Sequence, residues 1–319
     1  MKPKVVVYKK VDKKVLEFLQ NTLDVTYFED LDPQTYPIFR EKLKTAEGIL
    51  GAGLKVDKGL LDQAPHLKIV CNTSVGYDNL DLAAMTERKV MATNTPGVLN
   101  DTVADAIFGL LLSTARRIPE LDHQVKIGQW GTIPDEEWYG VDVHHKVLGI
   151  VGMGGIGADI AKRAHYGFDM KILYHNRSHN KEAEQKYQAT YCSLEELLQQ
   201  SDFVCLMTPL TPETEKMFGK REFALMKKTA IFINGSRGKT VDEQALIQAL
   251  QTGEILAAGL DVFVQEPVQK DNPLLNMNNV VTLPHIGSAT NETRIKMAML
   301  AAENLVAGLR GETPPNLLG

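Results

Sequence analysis

Arg237 stands in Asn234-Gly235-Ser236-Arg237-Gly238, directly after the apolar run Ala230–Ile233. Such a run reads as a strand, and the turn at its carboxyl end is where open α/β sheets hold ligands. A guanidinium there suits a small carboxylate, which it grips with two parallel hydrogen bonds while keeping its charge at any working pH. On spacing alone, a solvated surface arginine is equally open. Two further strand ends carry complementary groups: Asp261-Val262-Phe263-Val264-Gln265-Glu266-Pro267, and Leu283-Pro284-His285-Ile286-Gly287-Ser288-Ala289-Thr290. A carboxylate near an imidazole raises its pKa and fixes its orientation, which suits a group that must give a proton near neutral pH. Of the eight histidines, His285 stands apart because Pro284 and Gly287 bracket it after a predicted strand. Spacing in sequence does not establish contact in space.

A different chemistry is written at Gly152-Met153-Gly154-Gly155-Ile156-Gly157. This is G-x-G-x-x-G, directly after the apolar Val147–Val151 and directly before a helical pattern, the context that turns a weak motif into a dinucleotide cradle. Gly152 allows the tight turn, Gly154 lets the backbone approach a pyrophosphate, and Gly157 permits close packing of helix on strand. Gly155 and Ile156 begin the helix, whose free amides and roughly half a positive charge face the phosphates.

The end of the next strand bears on which dinucleotide is preferred, because an acidic residue there accepts both ribose hydroxyls and repels a 2′-phosphate. This chain has Tyr174-His175-Asn176-Arg177-Ser178. No carboxylate stands at His175, whereas Arg177 offers a charged fork and Asn176 and Ser178 offer neutral donors. A charge-assisted contact is worth about 1.5–3 kcal/mol, roughly a tenfold to hundredfold preference for NADP(H), with NAD(H) still admissible. The alternative is that Arg177 simply lies in solvent.

These loops need sheets to position them. The first hundred residues alternate β-branched runs with amphipathic stretches: Val5–Tyr8, Val11–Gln20, Val25–Phe28, Gly48–Gly51, Leu60–Ala64, Leu67–Cys71, Leu82–Arg88 and Val90–Thr93. That alternation predicts a parallel sheet covered on both faces. Asn94-Thr95-Pro96-Gly97 is a turn, and Asp101 or Thr102 can cap a long helix to about Arg117. Residues 128–140 hold both tryptophans without clear periodicity and read as an extended arm. From Lys146 the alternation restarts, with strands near Val147–Val151, Lys171–Tyr174, Phe203–Met207, Ala230–Ile233, Ala257–Asp261 and Val280–Thr282, so two doubly wound units in tandem are expected.

Bulk properties narrow the class. A chain of 319 residues favours two domains, and 44% hydrophobic with 24% charged residues is ordinary for a soluble globular protein. A net charge of −5 with interspersed signs lacks the basic footprint of nucleic-acid binding. The longest apolar stretch, Ala106–Ala115, is half the ~20 residues a membrane span needs. The N-terminus lacks a secretory signal, so a cytoplasmic location is expected. Cys71, Cys192 and Cys205 show neither disulfide nor zinc-site spacing, so no metal is expected and each reads as a small core residue.

Taken in order, Ser74-Val75-Gly76-Tyr77-Asp78-Asn79, Asn94-Thr95-Pro96-Gly97, the Gly152–Gly157 loop, Thr208-Pro209-Leu210-Thr211, Asn234–Gly238, Asp261–Pro267 and Pro284–Thr290 resemble the D-isomer-specific 2-hydroxyacid dehydrogenase family over essentially the whole chain. Within the family they look most like its glyoxylate/hydroxypyruvate (2-ketogluconate) reductase branch. The resemblance implies a Rossmann cofactor domain, residues 101–284, inserted into a flavodoxin-like substrate domain of residues 1–100 plus 285–319. It implies an active site in the cleft between them, with hinges near Asn100 and Pro284. The implied catalytic set is Arg237, Glu266 and His285, with Arg237 on the substrate carboxylate and His285, oriented by Glu266, protonating the carbonyl oxygen as hydride arrives. Val75 and Gly76 would hold the carboxylate with backbone amides. Thr102, Asp261 and Gly287 would line the nicotinamide end and Thr208 with Pro209 the adenosine side, and Gly235 and Ser236 would complete the cofactor contacts.

The family implies reduction of a small 2-oxo acid and a homodimer joined through the cofactor domains; for the arm around Trp130–Tyr139, a reach into the partner's cleft and a plain core or surface tryptophan are both open. The missing carboxylate at His175 is the departure that favours the phosphorylated cofactor. Alternatives of the same fold are a D-3-phosphoglycerate dehydrogenase, disfavoured by the short chain beyond the last helix, and a formate dehydrogenase, disfavoured by Glu266 where those carry glutamine. A dinucleotide-sensing corepressor, a binding protein and not an enzyme, is disfavoured by the lack of an evident interaction tail.

Overall fold

The computed structural model describes residues 2–131 and 134–319. The chain divides into two compact units, Met1–Leu99 with Ala289–Gly319, and Asn100–Ser288. The second divide falls after Ser288, not after residue 284, because the Asp261 carboxylate accepts the amides of Ile286 (2.8 Å) and Gly287 (2.9 Å) and so ties that turn to the larger unit.

Among the described residues, the smaller unit holds a six-stranded sheet. Its strands are β1 (Lys4–Val7), β2 (Asp24–Tyr27), β3 (Gly48–Gly51), β4 (Ile69–Asn72), β5 (Met91–Thr93) and, late in the chain, β13 (Leu317–Leu318). The order is β13-β5-β4-β3-β1-β2, with β1 to β5 parallel and β13 antiparallel on the β5 edge. This is the flavodoxin-like order with one added edge strand. The consecutive valines of β1 explain the covering on both faces, since alternate side chains point to opposite sides. Val6 packs with Phe39, Ile49 and Val70, while Val5 and Val7 pack with Leu50 and Ile69 against Ala298, Ala301 and Leu305 of the helix Asn291–Leu309.

The larger unit holds seven parallel strands among the described residues: β6 (Val147–Val151), β7 (Lys171–His175), β8 (Thr190–Tyr191), β9 (Phe203–Leu206), β10 (Ile231–Asn234), β11 (Ala257–Leu260) and β12 (Val280–Thr282). Their order is β12-β11-β10-β9-β6-β7-β8. The chain winds outward from β6 to β8 and then returns to place β9 on the other side of β6. The switch point therefore lies between β6 and β9, where open sheets open a ligand crevice at the carboxyl ends. Register is tight there, with Val151 opposite both His175 and Leu206, and Asn234 opposite both Leu206 and Leu260. The loops at 152–157, 175–180, 207–211, 234–238, 261–267 and 283–288 consequently all leave one edge of one sheet.

Several elements carry no sequence pattern that marks them. The helix Thr35–Leu43 has Pro37 within its first turn, where a missing amide costs nothing, and buries only Phe39 and Leu43. The helix expected from Thr102 to Arg117 runs from Asn100 to Ala115, and Arg117 at φ 55 separates it from a second helix, Ile118–Lys126. The expected arm at 128–140 contains a 3-10 turn at Asp135–Trp138; its residues Thr132 and Ile133 lie outside the described residues. Cys71 and Cys205 are buried, and burial pushes both thiols up to about 12, while Cys192 is half-buried. No helix of the described residues is long and apolar enough to cross a membrane.

Candidate active site

The loop after β6 is glycine-dependent for separate physical reasons. Gly152 has φ +103, and a Cβ on it would stand 2.7 Å from the Met207 carbonyl carbon. A Cβ on Gly157 would overlap the Gly152 carbonyl oxygen, so the helix Gly155–Phe168 begins flush against the turn that feeds it. Gly154 differs: the space beside it is open for 4 Å, and as N-cap it offers the helix no side-chain acceptor. An uncapped helix start with open space beside it fits an anion such as a diphosphate.

The next strand end is tied to this loop, for the Gly152 amide donates to the His175 carbonyl at 3.0 Å. Asn176 is half-buried and its carbonyl accepts from Tyr191 Oη at 3.1 Å, while Arg177 and Ser178 are exposed. Across from them the segment after β9 is folded by its threonines: Thr214 Oγ1 donates to the Pro209 carbonyl (2.6 Å) and accepts the Thr211 amide (2.8 Å). Thr208 sits at the start of this segment, against Gly152. Hydrogen bonding from Thr211 and its own amide holds the Glu213 carboxyl below its ordinary value, and the positive charge of Arg177 adds to this.

Glu266 and His285 are brought together, with Nδ1 of the imidazole 2.7 Å from Oε2 of the carboxylate. Oε1 accepts the Phe263 amide at 3.1 Å, which fixes the carboxylate plane. Burial alone would push this carboxyl up. The bonds from His285 and the Phe263 amide, with the charges of His285 and Arg237, outweigh that and hold it below the usual carboxylate value. His285 has φ +54, a left-handed conformation uncommon for a non-glycine residue, and its side chain is 45% exposed.

Arg237 reaches the same neighbourhood through a close backbone approach. A Cβ on Gly238 would overlap the carbonyl carbon and oxygen of Phe263, so the 234–238 and 261–267 loops touch backbone to backbone. Buried Asn234 shapes the first loop, its Nδ2 donating to the Arg237 carbonyl (3.1 Å) and its Oδ1 accepting the Ser236 amide (3.0 Å). Thr240 Oγ1 also donates to the Arg237 carbonyl, at 2.6 Å, and Arg237 Nη1 donates to the Ser236 carbonyl at 2.9 Å. Gly235 packs against Ile107, and Gly287 lies between the Asp261 carboxylate and Val103, the neighbour of Thr102 in the first turn of its helix. Burial pushes the Asp261 carboxyl up, opposed by the amides of Ile286 and Gly287 and the charge of His285.

Val75 and Gly76 belong to the smaller unit, in the loop after β4. Their carbonyls are both engaged, Val75 by Asn94 Nδ2 (2.8 Å) and Gly76 by Ser74 Oγ (2.6 Å) and Asn72 Nδ2 (3.0 Å), which fixes the peptide planes of that loop. Sequence reading missed Asn234, Gly238 and the Phe263 amide as parts of the site. A glycine following a candidate arginine was the available signal for the first contact; the amide carries no residue-type signature at all.

Comparison with known proteins places the chain in a family. Residues 108–287 match the family model "D-isomer specific 2-hydroxyacid dehydrogenase, NAD binding domain". Over 316 residues, 99% of this chain and 98% of the relative, the sequence is 53% identical to a glyoxylate/hydroxypyruvate reductase B of Escherichia coli O6:H1. An NADPH-dependent glyoxylate/hydroxypyruvate reductase from Sinorhizobium meliloti, solved with NADP and malonate, superposes with a TM-score of 0.86 at 31% identity, covering 100% of this chain and 97% of that one. A protein of Thermus thermophilus superposes with a TM-score of 0.90 at 38% identity, covering 99% of this chain and 100% of that one. The chain belongs to the D-isomer-specific 2-hydroxyacid dehydrogenase family, and is an oxidoreductase with a nicotinamide-dinucleotide-binding domain.

The contact at Gly238 yields a direct test. Gly238→Ala must push the Arg237 and Glu266 loops apart, and a displacement near 1 Å costs about 10²-fold in kcat/KM. Gly109→Ala, a helical position with open space around it, should leave activity within about twofold. Steady-state kinetics of both variants checks this, and wild-type activity in Gly238→Ala would contradict the close approach.

Proposed function

We propose that the protein reduces small 2-oxo acids to D-2-hydroxy acids with NADPH. Glyoxylate and hydroxypyruvate are the leading substrates, and 2-ketogluconate is a larger member of the same class. The observation that carries this reading is the pair His285–Glu266 at 2.7 Å with Arg237 held beside it by the Gly238 contact. The relatives named above support the choice of substrate.

The dinucleotide fits the residues present: an uncapped helix start at Gly154, open space beside it, and donors at Asn176, Arg177 and Ser178 in the adjoining loop. When bound, its reduced nicotinamide supplies the hydride that adds to the carbonyl carbon. Arg237 holds the substrate carboxylate and polarises the neighbouring carbonyl. His285 donates through Nδ1–H to Glu266, so Nε2 carries the proton that goes to the carbonyl oxygen. Glu266 stays ionised and stabilises the imidazolium until that proton leaves. Asp261 fixes the turn that sets the imidazole's direction. A homodimer is supported by apolar side chains left exposed on one helix, Ile118 and Val125, and beyond it at Ile127 and Trp130.

His285→Gln and Arg237→Ala should each lower kcat/KM for glyoxylate by at least ~10²-fold, the scale of a lost acid or charge-stabilising group. Near-wild-type turnover in either would end the assignment. Glu266→Gln replaces the carboxylate that orients His285 Nδ1 with a neutral amide, so kcat/KM for reduction should fall by about 10²-fold; an unchanged value would exclude Glu266 from this role. Arg177→Asp should turn the cofactor preference toward NADH, read as the ratio of kcat/KM for the two cofactors. An unchanged ratio would refute the 2′-phosphate reading.

A further inference from the structure

The loop that would meet the 2′-phosphate, residues 176–179, is anchored at its far end by Asn180. Two groups of that side chain work in opposite directions. Oδ1 accepts the Ala183 amide at 3.0 Å and caps the helix Lys181–Tyr187, while Nδ2 donates at 3.0 Å to the carbonyl of Met153, inside the glycine-rich loop. The Asn180 amide donates to the buried Tyr174 hydroxyl at 2.8 Å, and that hydroxyl donates to Glu184 Oε1 at 2.6 Å. His179 Nδ1 meets the same carboxylate oxygen at 2.7 Å, and its ring stacks on Tyr191 at a centroid distance of 4.1 Å. Burial and the Glu184 bond push the Tyr174 hydroxyl up to about 12, so it remains a neutral donor throughout the working range.

The two loops differ in how much they depend on this bond. The glycine-rich loop has independent supports: the Gly152 amide on the His175 carbonyl, Gly152 against Met207, and Gly157 against Gly152. The 176–179 loop starts at a strand end and finishes at Asn180. Its near end is tied to the cradle by the Gly152–His175 bond and Asn176 is held by the Tyr191 hydroxyl, so at its far end the Asn180–Met153 bond sets the spacing from the diphosphate cradle. A 2′-phosphate and a diphosphate hang from one ribose, so their separation in the ligand is confined to a limited range, and charge-assisted bonds lose strength quickly with misalignment.

We propose that Asn180 is a positioning residue for cofactor selection, holding the Arg177 loop at the distance from the diphosphate cradle that a 2′-phosphorylated dinucleotide requires. The proposal rests on the reading of Arg177 given above. Its physical content is that Asn180 acts on the discrimination between NADP and NAD, and only weakly on the binding they share.

The test uses the full-length protein and reads dissociation constants of NADP+ and NAD+ by calorimetry, with no turnover required. Asn180→Ser keeps a good helix cap but is too short to reach Met153. It should raise Kd for NADP+ about tenfold and for NAD+ less than about threefold, within the range of one lost hydrogen bond to a charged site's scaffold. Arg177→Ala is the reference, and the double variant should discriminate no less than Arg177→Ala alone, because Asn180 acts through the Arg177 loop. Tyr174→Phe, which removes the hydroxyl beneath the same peptide and leaves the cap, should shift the ratio in the same direction and serves if Asn180→Ser melts early. An unchanged ratio in Asn180→Ser and Tyr174→Phe with a lowered ratio in Arg177→Ala would overturn the proposal alone. So would equal weakening of both cofactors. An unchanged ratio in Arg177→Ala would remove the cofactor reading and the proposal with it.

Discussion

The proposed chemistry depends on an imidazole kept in one orientation by an ionised carboxylate. His285 and Glu266 come from different strand ends, nineteen residues apart, and meet at 2.7 Å. In the proposed chemistry the pair functions only if the carboxylate keeps its charge. The Phe263 amide, the imidazole and the nearby guanidinium together overcome the desolvation that would neutralise it. The imidazole in turn rides on a left-handed backbone at φ +54, which costs a non-glycine residue roughly 1–2 kcal/mol. Buried Asp261 offsets this by accepting the next two amides, hydrogen bonds to a charged group worth about 1.5–3 kcal/mol each. Strain at His285 and a buried acid beneath it are thus two sides of one construction.

The parallel sheet makes that construction possible. Six loops leave its carboxyl edge, and neighbouring registers bring their starting points level. Glycine then decides how closely the loops approach. Gly152 lets the cradle lie against Met207, and Gly238 lets the arginine loop lie against the Phe263 peptide. Each glycine removes the side chain that would hold two neighbouring loops apart.

Much of this was legible in the chain. The cradle announces itself because strand, glycine pattern and helix are contiguous, and Arg237, Glu266 and His285 each follow an apolar run that reads as a strand. The helix Lys181–Tyr187 escaped because it buries only Ala183 and is held by its Asn180 cap, so no apolar stripe marks it. The boundary after Ser288 escaped for a related reason: it is set by two amides bonding to Asp261 twenty-five residues upstream, and backbone donors leave no trace in residue types. Pairing of Glu266 with His285 is likewise a contact in space, which family resemblance suggested and spacing alone did not.

The most direct measurement of the central claim is a crystal structure of the protein with NADP+ and oxamate, an unreactive mimic of a 2-oxo acid. The expected complex has the oxamate carboxylate on the Arg237 guanidinium, and its carbonyl oxygen within about 3 Å of His285 Nε2 while Nδ1 remains on Glu266. Oxamate bound away from these groups, or an imidazole turned so that Nε2 meets Glu266, would contradict it.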